Sequence, residues 1–200
     1  MKLMRRRAFI VGVIALGALA LGSAVVASRF GGSPPDLDRL QHAIDREPMT
    51  RVADIPPAED AAGRGVYVQL TSTGQFCLWD APSIGSREKQ GGCNSADDPL
   101  AGSELSASLA YDGGPATSSV KDARLIGVVS EKVARVEVVM SDRSRRAITL
   151  RRVSIAGDTY GAFGYRFAKA DLRRGVAPVA VVALDASGAE SDRQTTGFGG

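Results

Sequence analysis

The twenty residues from Ala8 to Ala27 carry no charged side chain, and no other stretch constrains the chain as much. At a helical rise of about 1.5 Å per residue they span roughly 30 Å, the depth of a bilayer's hydrocarbon core. Lys2, Arg5, Arg6 and Arg7 precede the run, and Arg29 follows it. This excess of positive charge on the N-terminal side predicts a cytoplasmic N-terminus and extracytoplasmic residues 30–200. Two fates fit the run. A signal anchor over residues 1–29 that stays in place gives a single-pass protein of the cell membrane, with the lipid bilayer as partner through residues 8–27; the length of the run favours this. Cleavage after Val25-Val26-Ala27 gives a secreted chain instead. Arg6-Arg7-Ala8-Phe9-Ile10 resembles a twin-arginine export signal, but an ordinary basic leader is the preferred reading, since short address motifs match by chance. No Cys lies near the end of the run, which excludes a lipidated-cysteine anchor. A buried core helix is disfavoured because the run has no polar stripe.

Charge must be counted without the leader. Four of the 25 basic residues precede the run and none of the 22 acidic ones does, so residues 28–200 hold 21 basic and 22 acidic side chains. A nucleic-acid binder carries its basic footprint on the folded domain, and this balance excludes nucleic acid as a partner. Twenty of the basic residues are Arg, a bias expected from GC-rich bacterial coding.

Outside the cytoplasm the chain's two cysteines, Cys77 and Cys93, are expected to form a disulfide. Closing a loop of that length removes about 3 kcal/mol of denatured-chain entropy. With His42 as the one histidine, a zinc site lacks ligands.

Beyond the leader, residues 30–64 divide into a helix and a linker. Ser33-Pro34-Pro35-Asp36 starts like a capping box, and Leu37, Leu40 and Ile44 follow at helical spacing, which predicts an amphipathic helix over Pro34–Glu47. His42 belongs to its solvent side. Pro48, Pro56 and Pro57 mark residues 48–64 as a linker. From Gly65 the period becomes two: Val66, Val68 and Leu70 alternate with polar residues, Ser72-Thr73-Gly74 turns, and Gln75–Trp79 returns as a hairpin. Residues 80–98 read as a polar loop whose base the disulfide ties to the second strand. Further strands are expected at Glu104–Tyr111, Arg124–Val129, Val133–Met140, Arg145–Val153, Tyr160–Phe167 and Ala177–Leu184. The fourth of these buries Ile148 and Leu150, the fifth is an aromatic-rich strand or edge, and the last is a central strand entered at Pro178. Glu190–Thr195 reads as a polar edge strand, and residues 197–200 as a frayed tail. This divides the exported part into a hairpin region, 65–118, with the Cys77–Cys93 staple, and a second part, 119–196; 65–196 also fits one domain. The fold class expected is mainly β: an N-terminal transmembrane or signal helix followed by an antiparallel β-sandwich with a disulfide-stapled loop.

Within residues 123–195, Leu125-Ile126-Gly127-Val128-Val129 and Val133-Ala134-Arg135-Val136-Glu137-Val138 form a G-x-V … V-x-x-V-x-V strand pair. Pro178-Val179-Ala180-Val181-Val182-Ala183-Leu184-Asp185-Ala186-Ser187-Gly188 supplies a late P-V-x-V-x-A-x-D-x-x-G hairpin. Together they resemble bacterial extracytoplasmic immunoglobulin-like modules. The cysteine pair and central Trp of antibody domains are missing from this region, so the resemblance implies the sandwich architecture alone. Such modules serve as spacers or binding platforms, and fold does not fix function.

Catalytic motifs are scarce. The single His lies in the membrane-proximal segment, away from any Ser placed by the fold, which argues against Ser-His-Asp and Cys-His sites. No glycine-rich phosphate loop occurs, and Asp97, Asp98 and Asp112 lack the offsets of a calcium loop. No catalytic residue, cofactor or metal is therefore assigned. Asp97, Asp98, Glu104 and Asp112 are the acids nearest the stapled loop, and an envelope hydrolase using them is the alternative to a non-catalytic interaction or structural module. Arg143, Arg145, Arg146, Arg151 and Arg152 gather on one expected hairpin. They read either as a patch for an envelope protein, anionic lipid headgroups or an anionic polymer, or as solvated residues guarding a sheet edge.

Overall fold

Strand formation begins before the first alternating stretch. The computed structural model describes residues 47–56, 63–113 and 120–196; the apolar run, the Pro34–Glu47 helix up to residue 46, His42 and the tail lie outside the described residues. Thr50–Ile55 is β1, where the sequence suggests a linker. Its partner in register is Arg64–Leu70, β2, and the pairing shifts between Arg51 and Ala53. That bulge buries Val52 and Ala53 side by side, so the period of two that would betray a strand is broken. Gln75–Ala81, β3, follows the Ser72-Thr73-Gly74 turn as expected. Gln90–Ser95, β4, completes an antiparallel sheet of order β1-β2-β3-β4. The sequence of β4, QGGCNS, offers no apolar alternation, so it reads as loop; the backbone ladder to β3 makes it a strand.

A second antiparallel sheet has the order β5-β6-β10-β9, with β5 Leu105–Gly113, β6 Val120–Ser130, β9 Arg151–Ile155 and β10 Asp158–Arg166. The apolar run of β6 is continuous because both its faces are covered. Ile126 and Val128 join Val66, Val68, Phe76 and Leu78 of the first sheet in one core. Leu125 and Val129 point the other way, into a core with Val136, Val138, Val181 and Phe163. Each such side chain contributes about 1.5–3 kcal/mol on burial. Gly164 on β10 lets the first two sheets meet, since a Cβ there would lie 2.7 Å from Ile55 and 2.8 Å from the Asp54 carbonyl oxygen.

The third antiparallel sheet, of order β12-β11-β7-β8, comprises β7 Arg135–Met140, β8 Arg145–Ile148, β11 Pro178–Leu184 and β12 Glu190–Thr195. Pro178 begins β11, which is central, and the polar β12 is an edge, both as the sequence indicates. Two expectations change. Arg145–Val153 is not one strand: the chain leaves the third sheet after Ile148 and enters the second at Arg151. Ile148 and Leu150 both pack into the core between those sheets, so the alternation continues while the ladder changes partner. The aromatic strand β10 is no edge but lies between β6 and β9. A short helix, α1 (Lys169–Arg173), which the sequence pattern did not reveal, buries Leu172 in the same core. Among the described residues no helix is long and apolar enough to cross a membrane.

Candidate functional site

Cys77 and Cys93 are bonded, and they sit directly opposite each other on β3 and β4. The bridge therefore clamps two neighbouring strands rather than the base of a loop. Glycine makes this approach possible: a Cβ at Gly91 would lie 1.9 Å from the Leu78 carbonyl oxygen, whereas one at Gly92 would meet nothing within 4 Å.

That open space at Gly92 belongs to a cleft of about 270 Å³ between β4 and β5. Phe76 and Leu78 are its apolar floor, Gly92 and Asn94 one wall, and Ser106 and Ser108 the other, with Gln194 of β12 at the rim. Asn94 Nδ2 donates to the Pro99 carbonyl at 2.8 Å and lies 3.5 Å from Ser106 Oγ. Gln194 acts as a piece of backbone for β5: its Oε1 accepts from Ala107 N at 2.9 Å and its Nε2 donates to Ala107 O at 2.8 Å. Asp192, two residues back, accepts from Glu104 N at 2.8 Å, from Leu105 N at 3.1 Å and from the Ser103 hydroxyl. Burial works against the Asp192 carboxylate, but these donors outweigh it and hold its pKa below the ordinary value. The cleft lining contains no titratable side chain, because Cys93 is oxidised. It supplies amides, hydroxyls and an apolar floor, which suit binding rather than proton transfer.

Further along the same inter-sheet layer, Asp80 is fully buried between two arginines. Arg64 Nε donates to its Oδ1 at 2.5 Å and Arg124 Nε to its Oδ2 at 2.6 Å. Arg124 Nη1 reaches Asp112 at 2.9 Å and also Asp122, whose other oxygen lies 3.3 Å from Arg166 Nε. Burial disfavours the Arg124 charge, but hydrogen bonds to Asp112 and Asp80 outweigh it and raise its pKa. The same hydrogen bond from Arg124 lowers the pKa of Asp112. Three arginines and three aspartates balance, so this cluster joins the first two sheets without net charge.

The acids near the stapled loop do not converge. Asp97 is exposed, Asp98 accepts from Gly102 N at 3.0 Å, Glu104 accepts from the Ser130 hydroxyl, and Asp112 is held by Arg124. Among the described residues no group of three or more His, Cys, Asp or Glu could hold a metal ion. The arginines divide between sheets. Arg143 lies in the turn after β7, Arg145 and Arg146 on β8, Arg151 and Arg152 on β9. Arg145 pairs with Glu137 at 3.0 Å, Arg146 faces Asp171 at 3.6 Å, and Arg152 donates to the carbonyls of Ser130 and Val133.

Asn94, Ser106, Ser108 and Gln194 escaped the sequence reading because no motif links them. The one available signal is the alternation of Asp192 and Gln194 on a polar strand, which puts two backbone-capping side chains on one face. Fold and cleft together define a disulfide-bonded, mainly β protein of antiparallel sheets. Compared with protein-family models, curated proteins and solved structures, the chain matches none.

Proposed function

We propose that the chain is a membrane-anchored, non-catalytic interaction module of a bacterial cell envelope. A helix over residues 8–27 is retained in the membrane and residues 30–200 stand outside it, with residues 119–196 as an immunoglobulin-like β-sandwich part. The observation that carries this is the Cys77–Cys93 bond, which uses both cysteines of the chain. Such bonds persist in oxidising compartments and are rare in the cytosol. The uncharged Ala8–Ala27 run behind Arg5, Arg6 and Arg7 supplies the means of leaving it. The uncharged cleft at β4 and β5 supports binding as the activity.

Fractionation with thiol labelling tests the proposal. The chain is expected to stay in the membrane pellet through a carbonate wash, and native protein is expected to take up thiol reagent only after reduction. Release by the wash with the bond intact points to the secreted form. A cytosolic chain with two reactive thiols overturns the proposal.

A further inference from the structure

We propose that the outer edge of β4, with the cleft beneath it, takes an extended segment of a partner protein as a fifth strand of the first sheet. One uncharged side chain of that segment would enter the cleft. This deepens the interaction reading above and rests on it only in supposing a polypeptide partner.

The hydrogen-bonding direction of β4 follows from its register. Ala96 N donates to Gly74 O at 2.9 Å, which makes the Gly74–Ala96 position a hydrogen-bonded one in the register of the pair. Stepping by two along the antiparallel ladder, Asn94, Gly92 and Gln90 bond inward to Phe76, Leu78 and Asp80. The 4.0 Å Cα–Cα distance of Cys77 and Cys93 agrees, since closely spaced opposed residues are the non-hydrogen-bonded ones. The N–H and C=O groups of Gly91 and Cys93 therefore face outward. Among the described residues none bonds to those groups, and both residues are exposed. Ser95 closes the stretch, because its carbonyl accepts from Asp98 N at 3.2 Å.

Among the described residues, every other edge strand carries a device against strand addition. β1 has its bulge and the charged Arg51 and Asp54. β5 is capped by Asp192 and Gln194. β8 and β9 carry paired arginines, and β12 an ion pair of Glu190 with Arg193 at 2.7 Å. β4 has neither charge, proline nor bulge.

The cleft makes this open edge selective. Gly92 and Asn94 share the face of Phe76 and Leu78, toward β5. An added strand directs alternate side chains to that same face, and Gly92 leaves the room to receive one. A charge placed there would lose water without gaining a partner, so the residue is uncharged. The same geometry disfavours a second copy of this chain. Self-pairing through the outward groups of Gly91 and Cys93 opposes Gly92 to Gly92, and two glycines leave the cleft unfilled.

Purified, oxidised full-length protein in detergent, ¹⁵N-labelled, is titrated with capped peptides alternating Thr with Leu or Thr with Asp. The Leu peptide is expected to move the amide signals of Gly91 and Cys93, and the Asp peptide to bind about tenfold more weakly. N-methylation of alternate amides of the Leu peptide is expected to abolish binding. Gly92→Leu is expected to weaken it about tenfold by filling the cleft. Silent Gly91 and Cys93 signals with both peptides, equal binding of both, or binding that survives N-methylation overturns the proposal. Protection of the two amides together with a dimeric mass in peptide-free protein overturns it in favour of a second copy. Should Gly92→Leu lose the disulfide, the N-methyl comparison on the wild-type chain decides. None of these readings depends on where the chain resides, so this proposal and the envelope assignment can fail separately.

Discussion

The two layers on either side of the second sheet are built differently. Between the second and third sheets one apolar cluster runs from Leu105 and Val129 to Met140, Phe163 and Val181. Between the first and second sheets an apolar centre of Val66, Val68, Ile126 and Val128 gives way at one place to the Asp80–Arg124 cluster and at another to the uncharged cleft. The contrast teaches where stability and recognition are separated. One layer is closed on its β5 side by Asp192 and Gln194, while the other leaves backbone and volume accessible at β4. Substitutions in the first should cost folding, and those lining the β4 cleft of the second should cost binding.

The largest effect is expected in the closed layer. Phe163 is fully buried, and Phe163→Ala should destabilise the chain by about 3–5 kcal/mol. Denaturant unfolding followed by Trp79 fluorescence measures this. A loss under about 1 kcal/mol would show that this layer is not the stabilising one.

The polar end of the other layer should be nearly as sensitive, for an opposite reason. Asp80→Ala leaves the Arg124 charge buried with fewer partners and should cost about 3–5 kcal/mol. Pairing it with Arg124→Leu tests the cause. If the uncompensated charge is responsible, the double variant recovers part of the loss; if Asp80 matters by packing, the losses add. Neither residue stood out in the sequence, because an Asp and an Arg on separate strands look like ordinary surface charges until pairing turns them inward. What could be read was whatever repeats locally. β2, β5, β6, β7 and β11 announce themselves by period two or by continuous apolar runs, and Cys77 with Cys93 by compartment chemistry. β1 was hidden by its bulge, β4 by Gly91 and Gly92, and the break between β8 and β9 by an alternation that continues through it. The cleft was invisible for a related reason: its residues come from β3, β4, β5 and β12, so only tertiary structure assembles them.

Removing the clamp between β3 and β4 comes next. Cys77→Ser with Cys93→Ser should lower stability by about 3 kcal/mol, since the bridge spans a separation of 16 residues. Amide exchange should quicken in β4 before it does in β11. Equal quickening in both would mean that the two layers unfold as one.

The cap of β5 gives a pH-dependent comparison. Asp192→Ala should cost about 1–3 kcal/mol at neutral pH, because it strips a charged acceptor from two backbone N–H groups. The Asp192 pKa is depressed in the folded chain, so its contribution is complete above the ordinary value of 3.8 and is lost as the pH falls below it. The stability gap between wild type and variant should therefore close under acid. A gap that persists well below that pH would assign the cost to lost packing instead of the ionised cap.

The smallest expected effect separates the two glycines of β4. At Gly91 an added methyl collides with the Leu78 carbonyl, and neither backbone can retreat without disturbing the Cys77–Cys93 register. Gly91→Ala should thus cost more than about 1 kcal/mol. At Gly92 the methyl enters open space, and alanine restricts the unfolded chain more than glycine does. Gly92→Ala should then be neutral or stabilising by about 0.4–1 kcal/mol. Folding alone therefore gives no reason for glycine at 92, whereas keeping the cleft open does. A measurable loss of stability in Gly92→Ala would remove that distinction and make both glycines structural.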